Sequence, residues 1–391
     1  MPREKVCCAY GLIGEELDLK ANIEMEFRPN GTIHHLKYED PPENLLINEN
    51  SSHLLMPGLI NSHVHIGDSF AKEWGYNKDL VEVVAPPDGI KHQLLASAPE
   101  SLKKKAMQHS ARDMLAHGFT HFVDFRERGT AGIELLHYAL RESDITYLIL
   151  GRFSDAQELE DVYERADGIG FSSYKGISKE IKEKLRALKK TNPKIVACHD
   201  AERKRDEINF QEIIGDGLID LIVHGTHYTE KDLQRVKQKN LKLVLCPRCN
   251  GYFGVGFPPI SEILKLNIPI SLGTDNIMAN NPDLFEEMRY LYYTTRNLQL
   301  GKDPTRMEAR DLLKMITINA ARNFNLGSNL GSISEGKYAD FINIDLSAPN
   351  YFSKLTSETI YPLLVQRTQA DNIRQVYKKG ELVLDKTSPP K

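Results

Sequence analysis

The sequence predicts an α/β fold, a (β/α)8 barrel with a small β-domain built from both chain ends. Three observations predict it. Eight short apolar runs alternate with longer, charged segments of helical character through the middle of the chain. The two ends lack that alternation and read as turns and short strands. Four of the runs close on histidine or aspartate, which a barrel would gather at one mouth.

The runs are 59–66, 120–125, 145–153, 168–172, 194–199, 221–224, 241–246 and 268–275. Continuous apolar strands separated by helices imply a parallel sheet buried on both faces. Eight of them over roughly 200–250 residues suit a (β/α)8 barrel. Between them, 101–115 carries Lys103, Lys104, Lys105 and Arg112 and stops at Gly118. Segments 178–190 and 229–239 are charged on one face, and Thr229 is an N-cap with Glu230 and Asp232 close behind. Segment 261–266 leads into the eighth run and 281–298 follows it, with Glu286 and Glu287 expected on a solvated helix face. Up to about residue 55, Gly31, Pro41 and Pro42 punctuate short strands. Beyond Asp340, residues 341–345 alternate as a strand, and 373–379 with 381–385 suggest a hairpin around Gly380. The expected division is 1–55 and 331–391 for the β-domain and 56–330 for the barrel.

Composition narrows the function. The chain has 391 residues, 41% hydrophobic and 27% charged, with 50 basic against 54 acidic residues and a net charge of −4. No basic excess invites a nucleic acid polymer or an anionic membrane. The first residues hold Arg3 and Lys5 but no apolar signal core, and no apolar run approaches the roughly eighteen residues of a membrane span. A cytoplasmic protein acting on a small molecule is expected, with homo-oligomerisation left open. Five cysteines, an odd number, form no disulfide framework. Cys246-Pro247-Arg248-Cys249 lacks the second ligand pair of a structural zinc site and reads as a strand end and its loop. Gly168-x-Gly170 lacks the third glycine of a dinucleotide loop.

His63 and His65, two apart on a strand, project to the same side and can share a metal ion. His199, His224 and Asp275 end later runs, so a barrel brings all five to one point. Glu202, three residues past His199, is either a proton carrier beside that metal or a surface acid at a helix start, since Arg203, Lys204 and Arg205 follow it.

These residues carry a resemblance. Met56-Pro57-Gly58-Leu59-Ile60-Asn61-Ser62-His63-Val64-His65, His199-x-x-Glu202, His224, Cys246-Pro247-Arg248-x-Asn250 and Leu272-Gly273-Thr274-Asp275-Asn276 resemble the amidohydrolase superfamily, in particular its mononuclear deaminase branch. The likeness continues through Leu284-Phe285-Glu286-Glu287-Met288-Arg289, Thr317-Ile318-Asn319-Ala320-Ala321-Arg322 and Glu335-Gly336-Lys337-Tyr338-Ala339-Asp340. It is similar to the group containing cytosine, guanine and S-adenosylhomocysteine deaminases. The resemblance implies a distorted barrel with a β-sandwich made by both ends. It implies one divalent ion, zinc ahead of iron or manganese, on His63, His65, His199 and Asp275. Glu202 would shuttle protons, His224 would orient water or a substrate oxygen, and Asp275 would also accept the water's proton. The implied reaction is hydrolytic deamination of an amino-substituted N-heterocycle.

The cytidine-deaminase fold, which needs H-x-E and P-C-x-x-C, is excluded. A binuclear amidohydrolase opening a cyclic amide stays open, with Lys175 as its carboxylated lysine or else an ordinary loop lysine. A non-catalytic barrel with a degenerate site is disfavoured because every ligand is present. For substrate, Phe70 and Trp74 either stack on a flat ring or pack on the barrel. Arg126 and Arg152 either bind a carboxylate or phosphate or form ion pairs. Arg248 and Asn250 follow the seventh run on the active face, and His227 lies one loop turn past His224.

Overall fold

The computed structural model describes residues 5–47, 52–298 and 307–387; Arg3 of the N-terminal basic stretch lies outside them. The N-terminal part forms β1 (Lys5–Ile13), β2 (Asp18–Phe27), β3 (Ile33–Glu39) and β4 (His53–Pro57). β1 and β2 run nine and ten residues, longer than the short strands expected. In β2 the charged Asp18, Lys20, Glu24 and Glu26 interleave with buried Leu19, Ala21, Ile23, Met25 and Phe27. That period-two alternation, diluted by charge, is what a turn-rich reading overlooks.

The central strands are β5 (Leu59–His65), β6 (Phe119–Arg126), β7 (Thr146–Gly151), β8 (Gly168–Phe171), β9 (Ile195–Asp200), β10 (Leu221–His224), β11 (Lys242–Leu245), β12 (Ile270–Leu272) and β13 (Asp275–Asn276). They form one parallel curled sheet in the order β12-β11-β10-β9-β8-β7-β6-β5-β13. β12 and β13 are the two halves of the eighth run, parted by Gly273 and Thr274. β12 pairs with β11 and β13 pairs with β5, so the two ends of the sheet belong to one stretch of chain. β5, β6 and β8 are buried throughout, as strands covered on both faces must be.

β14 (Phe341–Asp345), β15 (Ile373–Lys378) and β16 (Glu381–Asp385) join the N-terminal strands in a seven-stranded sheet, β16-β15-β14-β4-β1-β2-β3. Lys379 and Gly380 both take positive φ (50° and 81°), the two-residue turn that matches strand twist. Side chains alternate faces along β4: Leu54 and Met56 join the barrel's core while Leu55 joins a separate apolar cluster with Ile23, Met25 and Phe341. No helix among the described residues is long and apolar enough to cross a membrane.

Helices occupy the expected connections, among them Glu100–Ala116, Lys179–Thr191, Glu230–Gln238 and Leu284–Leu298. Thr229 caps Glu230–Gln238 in a reciprocal box with Asp232. One expectation is corrected in Leu284–Leu298. Glu287 is 0% exposed rather than solvated, and it accepts a hydrogen bond from the Arg248 backbone N–H at 3.0 Å. The helix turns that residue toward the β11 loop, where an orphan backbone donor makes its burial tolerable. Between β5 and Glu100–Ala116 the chain makes a 3-10 turn, Ile66–Ala71, and two short helices, Leu80–Val84 and Ile90–Ser97. These cover the mouth of the curled sheet.

Candidate active site

Strand ends place the polar groups. His63 and His65 project together from β5, His199 is the last residue but one of β9, His224 ends β10 and Asp275 opens β13. His224 and Asp275 hold positive φ (77° and 59°), which non-glycine residues adopt at a cost. Gly273 allows the approach: a Cβ there would stand 2.6 Å from His63 Cβ and 2.8 Å from its backbone nitrogen. Asn61 fastens the break, donating to Thr274 Oγ1 (2.8 Å) and accepting from Thr274 N–H (3.0 Å).

The groups converge. The ligand atoms of His63, His65 and His199 lie within 4.8 Å of one another, as do those of Glu202, His224 and Asp275. His63 Nε2 is 3.3 Å from His199 Nε2 and 3.3 Å from Asp275 Oδ1. His65 Nε2 lies 3.7 Å from that same oxygen. His224 Nε2 is 3.8 Å from Asp275 Oδ2 and 3.6 Å from Glu202 Oε2, and it is buried without a hydrogen bond among the described residues.

Tautomers follow from the other ring nitrogens. His65 Nδ1 faces the Phe125 carbonyl at 3.0 Å, and His199 Nδ1 faces the Phe171 carbonyl at 2.8 Å. A carbonyl only accepts, so each Nδ1 carries the proton and each Nε2 presents a lone pair. Burial pushes His63, His199 and His224 below the ordinary histidine range and His65 down to about 3, which keeps the rings neutral. Lone pairs and a carboxylate turned on one point repel unless a cation lies among them. Ligand atoms about 2.0–2.1 Å from a tetrahedral zinc stand roughly 3.3–3.4 Å apart, and the His63–His199 and His63–Asp275 pairs stand at 3.3 Å, with His65 a little farther from Asp275 at 3.7 Å. The donor set fits a divalent ion.

Two carboxyls differ in character. Burial pushes Glu202 well above the ordinary carboxyl range, and the charge of Asp275 adds to it. Burial also opposes ionisation of Asp275, but its hydrogen bond with His63 and the facing His224 and His65 hold it well below that range. A cavity of about 160 Å³ lies over them, walled by His65, His199, Glu202, His224, Asp275 and Arg152 and roofed by Leu80, Val84, Pro86 and Lys91. Pro86, Arg152 and Ser172 also border a second hollow of about 360 Å³, which His92 and Arg128 line.

The remaining expected residues separate. Arg152 lines both hollows, its Nε buried without a hydrogen-bond partner among the described residues. Arg126 is buried against Asp124 (3.3 Å) and Glu127 (2.9 Å) and lines neither hollow, because neighbouring acids neutralise it inside the barrel. Arg248 faces Glu286 (2.8 Å) and Glu287 (3.6 Å), away from the cavity. Asn250 is no cavity wall either: its Oδ1 accepts from His224 Nδ1 (3.1 Å), and its amide donates to Thr226 Oγ1 (2.9 Å). Phe70 packs in an apolar cluster with Ala71, Leu80 and Val83, and Trp74 is 61% exposed outside both hollows. Lys175 pairs with Asp206 at 2.8 Å on the exterior, remote from the histidines in its contacts. His227 bonds the Val255 carbonyl at 2.7 Å.

Sequence reasoning missed Lys91, Glu127 and Asp68, a buried charged group beside His65. Lys91 Nζ lies 2.7 Å from Glu127 Oε1 and 3.4 Å from Asp68 Oδ2. Burial opposes ionisation of Glu127, yet Lys91 and His65 hold it well below the ordinary range, while burial pushes Asp68 up to about 7. No local signal marked Lys91, which lies in Asp88-Gly89-Ile90-Lys91-His92-Gln93 among other polar residues.

Comparison with known proteins adds sequence and fold. The amidohydrolase family profile matches residues 54–383. A provisionally named aminohydrolase of Methanothermobacter thermautotrophicus is 34% identical over 350 residues, covering 84% of this chain and 86% of its own. A 5-methylthioadenosine/S-adenosylhomocysteine deaminase of Thermoanaerobacter pseudethanolicus is 27% identical over 364 residues, 84% of this chain and 81% of its own. An adenosine deaminase of Xanthomonas campestris, solved with bound zinc, superposes with a TM-score of 0.81 over 98% of this chain and 93% of its own. At 19% identity that is a likeness of fold.

Proposed function

The chain belongs to the amidohydrolase family, and from that membership we propose a metal-dependent aminohydrolase that deaminates an amino-substituted N-heterocycle, nucleobase-like or nucleoside-like, and releases ammonia. One observation carries the reading. A carboxyl inclined to stay protonated, Glu202, shares a cavity with an ionised one, Asp275, beside three neutral histidines. Relatives named as deaminases support it. Residues 56–330 make a distorted (β/α)8 barrel, and both chain ends make the β-domain.

His63, His65, His199 and Asp275 would hold one divalent ion, zinc ahead of iron or manganese. When bound, it lowers the pKa of water from about 15.7 toward 7 and so supplies a nucleophile near neutrality. Asp275 takes the proton that water gives up. His224, protonated at Nδ1 toward Asn250, uses its Nε2 lone pair to orient that water. Glu202 donates its proton to the ring nitrogen next to the amino-bearing carbon, making that carbon more electrophilic. Water's oxygen bonds to the carbon, the proton held by Asp275 passes to the amino group as the C–N bond breaks and ammonia leaves, and the oxygen's remaining proton returns to Glu202, leaving a ring carbonyl beside the protonated ring nitrogen. The roof of Leu80, Val84 and Pro86 offers an apolar surface to the ring. Arg152, between the two hollows, meets an anionic substituent reaching from the first into the second.

The cyclic-amide alternative requires Lys175 carboxylated beside the metal, whereas Lys175 pairs with Asp206. The test is an ammonia-release screen of purines, pyrimidines, their nucleosides, 5-methylthioadenosine, S-adenosylhomocysteine, pterins and triazines, with a cyclic-amide panel alongside. Ammonia from an amino-heterocycle is expected. Turnover confined to cyclic amides would overturn the reading.

A further inference from the structure

Lys91 sits on the roof helix Ile90–Ser97, is 3% exposed, and places its ammonium between two partners of the expected metal ligands. On one side it stands 2.7 Å from Glu127 Oε1, the oxygen that also lies 2.9 Å from His65 Nδ1. Glu127's other oxygen is already paired with Arg126 at 2.9 Å, so lysine and histidine meet at one oxygen. On the other side it donates to Asn276 Oδ1 at 3.0 Å, while Asn276 Nδ2 donates to Asp275 Oδ1 at 2.8 Å. An ammonium only donates, so it fixes which way the Asn276 amide faces and turns the amide nitrogen toward Asp275. Asp68, from the 3-10 turn Ile66–Ala71, brings a third carboxyl oxygen to within 3.4 Å of the ammonium.

We infer that Lys91 is a positioning residue that ties the roof of the cavity to His65 and Asp275, so that closure of residues 80–97 and binding of the metal ion strengthen each other. A roof that swings out withdraws one charge and releases both arms at once. Partners of this kind orient a ligand and raise its basicity, and their loss typically weakens metal binding. Coupling between two events is reciprocal, so an ion that favours the closed roof must bind more tightly when the roof is closed. The same lysine walls the catalytic hollow, which places substrate under the closed arrangement. The inference rests on the metal-site reading given above.

The test uses the full chain loaded with Zn²⁺, challenged with graded chelator, and followed by backbone hydrogen exchange across 80–97 with and without the ion. In the wild type, zinc should slow exchange in that segment. Lys91→Met should lower zinc affinity roughly 10- to 100-fold and erase most of the zinc-dependent protection. Lys91→Arg, which keeps the charge, should recover part of both. Wild-type affinity and protection in Lys91→Met overturns the inference. Should that variant fail to fold, the wild-type exchange decides alone: zinc held with 80–97 exchanging unchanged overturns it. A wild type that holds no zinc at all instead removes the metal-site reading beneath it.

Discussion

Glu202 and Asp275 are carboxyls in one cavity whose surroundings drive them to opposite protonation states, one by burial and a like charge, the other by histidines. Glu202→Gln keeps the shape and removes the titrating proton. Metal content should hold while turnover falls roughly 10²–10⁴-fold, the usual scale for general acid–base catalysis. Near-normal turnover in that variant would return Glu202 to the part of a surface acid. Glu287 is another buried carboxyl, pushed up to about 8 by burial against the opposing charge of Arg248. Its folded pKa lies above its unfolded value near 4.5, so its contribution is complete below about 4.5 and is lost as pH rises through about 8. Glu287→Gln keeps an acceptor for the Arg248 N–H and cannot ionise. Denaturant melts should therefore favour this variant over wild type more at pH 8 than at pH 5, by an amount of the order of 3 kcal/mol. A difference that shrinks with pH would refute the assignment. Among residues, the spacing of His63 and His65 is weak by itself, and it became legible as a site only beside His199, His224 and Asp275 at the ends of later apolar runs. Arg126 and Arg248 also follow such runs, and there position misleads, because Asp124, Glu127 and Glu287 neutralise them. The acids of Asp124-x-Arg126-Glu127 were in plain view, whereas nothing local ties Glu287 to a loop 39 residues upstream.

At the scale of elements, the eighth run governs the site because it is two strands rather than one. β12 ends at Leu272, the chain passes Gly273 and Thr274, and β13 starts on Asp275 with φ of 59°. The break lets one stretch pair with β11 and then with β5, and it aims Asp275 at His63. Gly273→Ala would drive a methyl to 2.6 Å from His63 Cβ and 2.8 Å from its backbone oxygen, a gap that needs backbone movement. We expect that variant to lose zinc and to be destabilised by about 2 kcal/mol or more, as overpacking generally costs 1–3 kcal/mol. Retention of zinc at wild-type affinity would mean that β13 can shift without moving Asp275. The apolar run 268–275 disclosed that a strand was there, yet its interruption was invisible, since pattern reports burial and not pairing. The roof, 66–99, was opaque for a different reason. Leu80–Val84 and Ile90–Ser97 are five and eight residues long, too short for a helical period to show.

For the whole molecule, the site at the mouth depends on both chain ends beneath it. β14 lies inside the seven-stranded sheet, paired with β15 on one side and β4 on the other. β4 runs into β5 through Gly58, whose N–H donates to the Asp340 carbonyl at 3.0 Å. The strand that carries His63 and His65 is thus fastened at its root by the C-terminal segment. Removing residues 331–391 would turn β4 into an open edge and uncover Leu54, Leu55 and Met56, all 0% exposed in the intact chain. At about 1.5–3 kcal/mol for each large apolar side chain, that loss reaches roughly 5–9 kcal/mol. A whole domain is commonly stable by only about 5–15 kcal/mol, so the remainder has little left to hold it folded. A chain ending at residue 330 should therefore accumulate as aggregate, with no cooperative melt and no stoichiometric zinc. The alternation of Phe341 to Asp345 announced a strand, but only the register, with Ile342 opposite Met56 and Asn343 opposite Leu55, shows it clamped to β4, which leads into the barrel's first strand. Should the 1–330 chain prove soluble, melt cooperatively and retain zinc, the barrel would be self-sufficient and this dependence on the chain ends would be wrong.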